Sequence, residues 1–182
     1  MRAMRLSAGA TLLAAAALGS MGTATAEPDV NNPAINGTYL ATSNGEWART
    51  NDSFHEEATV QSTWTITSTC PNPTACYGTV VSDQGWTAKI VRVPGKWRVI
   101  RELPGWETCG VGPGAYPHPA DGTAATGRQV FIFWPTGDNP GMPVDATSNT
   151  FSGDDTTTGP SGACGYSAPL EISLPFKLVK IS

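Results

Sequence analysis

The run at 59–69, TVQSTWTITST, sets Val60, Trp64 and Ile66 on one side of an extended chain and a row of threonines on the other. A period of two in β-branched and aromatic residues predicts a strand with one buried face. The pattern resumes at 76–82, CYGTVVS, at 86–93, WTAKIVRV, and at 96–103, KWRVIREL. Turn residues fill the breaks. Ser82-Asp83-Gln84-Gly85 closes one pair, and Pro94-Gly95 supplies the central proline and glycine of a type II turn. Four strands joined this way predict an antiparallel meander.

Further strands are expected at 37–43, at 128–134, near 148–152 and over 168–182. No stretch beyond residue 26 sustains a 3.6-residue period, and only 54–60, FHEEATV, has room for a single helical turn. The reading is all-β: a meander forming an up-and-down β-barrel or a β-sandwich of about eight strands. RQVFIFW at 128–134 is apolar on both sides, with Val130, Ile132 and Trp134 opposing Phe131 and Phe133. Such a strand has cover on each face. A loop such as 104–127 is the simpler cover; the alternative is that one face lines a ligand cavity or a partner surface. Six tryptophans suit either an aromatic site or a packed core.

The first residues break the β pattern. Arg2 and Arg5 precede an apolar run from Leu6 to Leu18, which ends on Ala24-Thr25-Ala26. That is the order of a cleavable secretory signal over 1–26, and the run is too short to span a bilayer. Residues 27–36, EPDVNNPAIN, are expected to be a flexible N-terminal segment, and 37–182 a single domain. The expected location is extracellular, with a possible association with the cell envelope. Removing Arg2 and Arg5 leaves nine basic residues against fifteen acidic ones, a net charge of −6. That balance argues against nucleic acid or an anionic membrane as a general partner.

Export changes the meaning of Cys70, Cys76, Cys109 and Cys164, because an even number in an oxidising setting points to disulfides. Four cysteines allow three pairings. Cys70 ends one expected strand and Cys76 begins the next, so an antiparallel hairpin brings their Cα atoms within bridging range. This favours Cys70–Cys76 and leaves Cys109–Cys164 to join two longer loops. The zinc reading of TCPNPTACYG lacks both the usual spacing and further ligands, since only His55 and His118 are available. The thioredoxin-type reading lacks C-x-x-C. No metal and no cofactor are expected.

Catalytic chemistry is hard to place. GPSGACG at 159–165 resembles the serine-nucleophile loop of trypsin-like proteases, but Pro160 stands where that loop has aspartate. His55 beside Glu56 and Glu57 is a candidate base without a nucleophile, and His118 lies between two prolines. No catalytic residue is assigned.

Binding is better supported. Lys89, Arg92, Lys96, Arg98 and Arg101 crowd one expected hairpin and form a candidate anion-binding set on an acidic chain. Solvated charges that discourage edge pairing are the plainer explanation. SGDDTTTG at 152–159 offers Asp154 and Asp155 to calcium but lacks EF-hand spacing, so an exposed turn is expected there. Asn36 and Asn51 begin glycosylation sequons.

The runs STWTITSTCPNPTACYGTVVSDQGW at 62–86 and GPSGACGYSAPLEISLPFKLVKI at 159–181 resemble small secreted proteins of unknown function from mycobacteria and related actinobacteria. The resemblance implies export and a disulfide-held β domain, and brings no catalytic residues. Taken together, the sequence points to non-catalytic binding or envelope interaction, the partner being an anionic envelope component, a small apolar ligand or a protein. A secreted hydrolase whose acidic residues meet only in the fold is the rival, and a purely structural envelope protein is the third alternative.

Overall fold

The alternation at 59–69 becomes the longest strand of the molecule, with Trp64 and Ile66 each 1% exposed and the threonines facing out. The computed structural model describes residues 32–108, 124–136, 148–165 and 167–182. Its strands are β1 (Gly37–Ser43), β2 (Arg49–Thr50), β3 (Ser53–Phe54), β4 (Val60–Asn72) and β5 (Ala75–Ser82). They continue as β6 (Thr87–Val93), β7 (Lys96–Glu107), β8 (Ala125–Pro135), β9 (Thr150–Thr158) and β10 (Glu171–Lys180).

All pairings are antiparallel, and β4 through β10 follow one another around the sheet. β1 then pairs with both β4 and β10, which closes eight strands into an up-and-down barrel. The sandwich alternative is therefore set aside. Closure leaves no long edge exposed, so the ladder needs no other protection.

The expected turns are present. Gly85 and Gly95 have φ of +81° and +75°, a region open to glycine at little steric cost. In the β4–β5 hairpin the Asn72 side chain accepts hydrogen bonds from the backbone N–H groups of Thr74 and Ala75. The Cys70–Cys76 disulfide clips this hairpin with a Cα separation of 4.1 Å, beside a break in strand register between Thr69 and Asn72. The second expected bridge rests on Cys109, which lies outside the described residues, as do His118 and the expected signal over 1–26.

Some expectations give way. Residues 55–59 are irregular and Val60 already belongs to β4, so 54–60 holds no helical turn; a 3₁₀ turn forms earlier, at Gly45–Trp47. Asn44 caps that turn by accepting a bond from the Glu46 N–H. The weak strand near 148–152 runs to Thr158 and absorbs SGDDTTTG, which is neither an exposed turn nor a calcium loop. Within the segment expected to be flexible, Ile35 is 5% exposed and exchanges hydrogen bonds with the Ser68 hydroxyl, so the chain is tied down there.

Gly153 explains part of the disguise of β9. A Cβ built there would lie 1.9 Å from the Ile132 carbonyl oxygen, so β8 and β9 cross more closely than a side chain allows. Gly153→Ala is expected to cost roughly 1–3 kcal/mol in urea unfolding, because backbone rather than a flexible side chain must move. An unchanged midpoint would show that the strands separate freely at this point.

Between β1 and β4 the chain leaves the barrel as a flap over 44–59. β2 and β3 form a two-residue hairpin in which Asn51 and Asp52 have φ of +46° and +65°, the left-handed pair of a type I′ turn. The hairpin hangs on the start of β10, and Asn51 Oδ1 accepts a bond from the Glu171 N–H. Its return limb is knitted back by Glu57 N–H to Gly45 O and by Gly45 N–H to Thr59 Oγ1.

Candidate functional site

The barrel is filled unevenly. Toward the β4–β5 hairpin, Trp97, Phe133, Phe151 and Leu178 pack with at most 1% exposure. Toward the flap, the inward positions leave a cavity of about 290 Å3. Trp64, Trp86, Phe131 and Phe176 form its inner wall, and Glu57 and Ala58 of the flap border it. Trp64 packs edge to face on Phe131 and on Trp86, with centroids 4.9 and 5.3 Å apart. Such geometry sets the electropositive ring edge against the electronegative face and holds the wall in one arrangement.

A polar chain runs through this apolar setting. Asp155 on β9 is 3% exposed, and its Oδ2 accepts from Ser43 Oγ of β1 at 2.6 Å. Gln129 on β8 donates Nε2 to both carboxylate oxygens, at 2.7 and 2.9 Å. The Gln129 Oε1 in turn accepts from Arg101 Nε of β7 at 2.5 Å. The register makes this possible, since Arg101 and Gln129 are direct cross-strand partners on the inner face. One amide thus relays between a carboxylate and a guanidinium, which fixes its own orientation. Burial pushes the Asp155 carboxyl up from its ordinary value, while the bonds from Ser43 and Gln129 and the charge of Arg101 pull it down. Burial likewise lowers Arg101, with Asp155 opposing.

Two hydrogen-bond donors of the cavity wall, Arg101 and Trp86, differ from the rest of its lining. The Arg101 guanidinium lies 4.4 Å from the Trp86 ring centroid, a cation–π contact that holds it at the wall. The Trp86 Nε1 is buried with no hydrogen-bond partner among the described residues. Such a donor costs free energy until an acceptor reaches it.

No protein family and no curated protein matches the sequence. A solved structure does match the fold. It is the monomer form of the M. tuberculosis PknI sensor domain, with a TM-score of 0.52 over 82% of this chain and 88% of that one. At 14% identity the likeness is one of fold.

The five cations of the β6–β7 hairpin divide among three places. Lys89 is exposed on the outer face, and Arg98, also outward, is half-buried between Val91 and Ile132. Arg101 reaches the cavity at the flap end. Arg92 and Lys96 stand at the opposite end of the barrel. His55 and Glu57 pair at 3.0 Å on the flap. In RQVFIFW the inward residues are Phe131 and Phe133, so this strand does line the cavity, with Val130, Ile132 and Trp134 outside and half-buried.

Gln129 and Ser43 were not singled out by the sequence reading, and Asp155 was offered there only to calcium, not to a buried hydrogen-bond network. Gln129 carried a signal, since it continues the inward alternation of Phe131 and Phe133 as a polar residue on an apolar face. Asp155 carried one only if 150–158 was read as a strand. Among the described residues no three His, Cys, Asp or Glu side chains cluster, and no helix is long and apolar enough to cross a membrane.

Proposed function

We propose that this protein is an extracellular binding barrel that holds a small molecule in the cavity beneath the flap. The ligand has a planar apolar body, which packs on Trp64, Trp86 and Phe131, and a hydrogen-bond acceptor facing Trp86 Nε1 and Arg101. The observation that carries this reading is the buried, unpartnered Trp86 Nε1 beside a guanidinium in an aromatic cavity. Cavity size and lining agree with small-molecule sites, which combine apolar walls with a few placed polar groups. The sensor domain to which the fold is similar adds support of a general kind, as does a disulfide that suits an oxidising compartment. Hydrolysis by acidic residues gains nothing from Asp155, since both its oxygens are engaged by Ser43 and Gln129.

The test uses 2-naphthoate, a planar aromatic carboxylate, titrated against intrinsic tryptophan fluorescence. Saturable binding is expected. Arg101→Met, which keeps the stem and removes the charged donor, is expected to weaken it about tenfold or more, the scale of a hydrogen bond to a charged group. Trp86→Phe keeps a ring and removes the N–H, and is expected to weaken it less. Native mass spectrometry of protein from its own culture medium is expected to show a retained small molecule. No retained mass and no saturable binding, or equal binding by parent and Arg101→Met, would overturn the proposal.

A further inference from the structure

The second concavity lies at the other end of the barrel, and its chemistry differs. It measures about 540 Å3 and is bounded by Trp97, Trp134 and Phe151, with Pro33, Pro94 and Pro135 around them. Its charged residues are Arg92 and Lys96, with no carboxylate among the described lining residues. On a chain of net charge −4 that is a local reversal of sign.

Both cations are positioned by neighbours. Arg92 is the cross-strand partner of Trp97 and of Cys76, so it sits over the disulfide-clipped hairpin. There its Nη1 donates to the Pro73 carbonyl at 2.5 Å. Its Nε is buried and has no partner. Lys96 Nζ lies 5.0 Å from the Trp134 ring centroid, held at the rim by the aromatic face. The Pro94-Gly95 turn, with Gly95 at φ +75°, brings the two cations to one edge of the groove. The Pro73 carbonyl that accepts from Arg92 belongs to the loop closed by the Cys70–Cys76 disulfide.

We propose that this groove is a second binding site, for a small amphiphile with one anionic head, such as a free fatty carboxylate. The head meets the Arg92 guanidinium and the Lys96 ammonium, and the apolar body lies against Trp134 and Pro94, the more exposed apolar residues of the lining. The groove is independent of the flap-end cavity, because Arg101 and Asp155 lie at the opposite end of the barrel.

Isothermal titration with decanoate, below its micelle concentration and at low salt, tests this on the whole protein. Saturable binding is expected, weakened about tenfold by Lys96→Gln, an exposed change that leaves the core alone. Adding Arg92→Met, with near-ultraviolet circular dichroism as the folding control, is expected to abolish it. Arg101→Met is expected to leave decanoate binding unchanged, which separates this site from the other. Decanol, with the same tail and no charge, is expected to bind at least tenfold more weakly than decanoate. Equal binding of decanoate and decanol, equal binding by parent and Lys96→Gln, or no binding of decanoate would each overturn the proposal. So would binding to phosphatidylglycerol vesicles without affinity for free decanoate, which would assign the groove to a membrane surface.

Discussion

Asp155→Ala is expected to destabilise the barrel by roughly 3–5 kcal/mol, the range for removing one partner of a buried charged network. The cost follows from what the carboxylate does. Its two oxygens accept from Ser43 and Gln129, and Gln129 passes the contact on to Arg101. Alanine leaves two buried donors unsatisfied and a half-buried guanidinium without its countercharge. Each unsatisfied buried polar group costs about 1–3 kcal/mol, so the sum agrees with the network figure. Urea unfolding of parent and variant at neutral pH measures it. A difference below about 1 kcal/mol would mean that water replaces the carboxylate at little cost, and that the network is not a structural unit.

The same residue makes a pH prediction of definite sign. Burial raises the Asp155 carboxyl above its ordinary 3.8, so the native state retains this proton to higher pH than the unfolded chain. Stability linked to the group is then complete below the ordinary carboxylate range and declines as pH rises through the native value. Asp155→Asn carries no such proton. The parent's stability relative to Asp155→Asn is therefore expected to fall from about pH 4 upward and to level off above the native pKa. The groups facing the carboxyl are Ser43, Gln129 and Arg101, all of which favour the charged form. If the difference instead grows with pH, those three outweigh burial.

Strands were legible where one periodic signal dominated. Residues 59–69, 76–82, 86–93 and 96–103 alternate cleanly because one face meets the barrel interior and the other meets water. The later part of β9 was hidden because TFSGDDTTT has one glycine and two aspartates that weigh against a strand. Gly153 and Asp155 are explained by tertiary context. Gly153 is where β8 crosses too closely for a side chain, and Asp155 is an inward carboxylate satisfied by residues 26 and 112 positions away. Propensity is a local quantity and cannot register partners so distant. Closure was equally silent, since the β1–β10 pairing that separates a barrel from a sandwich joins strands at the two ends of the domain.

The candidate sites were half legible for a related reason. The cluster of basic residues on 89–101 was visible in the sequence. Which cations would converge was not, because strand length and the curvature of a closed sheet decide it. Arg92 and Arg101, nine positions apart on strands that fold back on each other, end at opposite mouths of the barrel. A hairpin whose cations were read as one set is thus divided among the outer face and two barrel ends of different chemistry, one end beside a carboxylate and one without.

Trp64→Ala is expected to lower stability by roughly 3–5 kcal/mol, the range for deleting a large buried aromatic. Trp64 is 1% exposed and its ring contacts those of Trp86, Phe131, Phe133 and Phe176. It also separates the filled half of the barrel from the flap-end cavity. Truncation therefore joins a new void to an existing one, and the rigid ladder on either side cannot collapse to fill it. For a domain of this size a loss of that order lowers Tm by about 10 °C. Trp86→Ala is expected to cost less, since Trp86 is only half-buried and already faces the cavity. The enlarged space is apolar, so added indole is expected to occupy it and raise the Tm of Trp64→Ala, by mass action on the native state alone. Thermal unfolding followed by far-ultraviolet circular dichroism, with and without indole, reads both effects. A Tm within 2 °C of the parent, or an equal indole response in parent and variant, would show that Trp64 is not the partition between the packed core and the cavity.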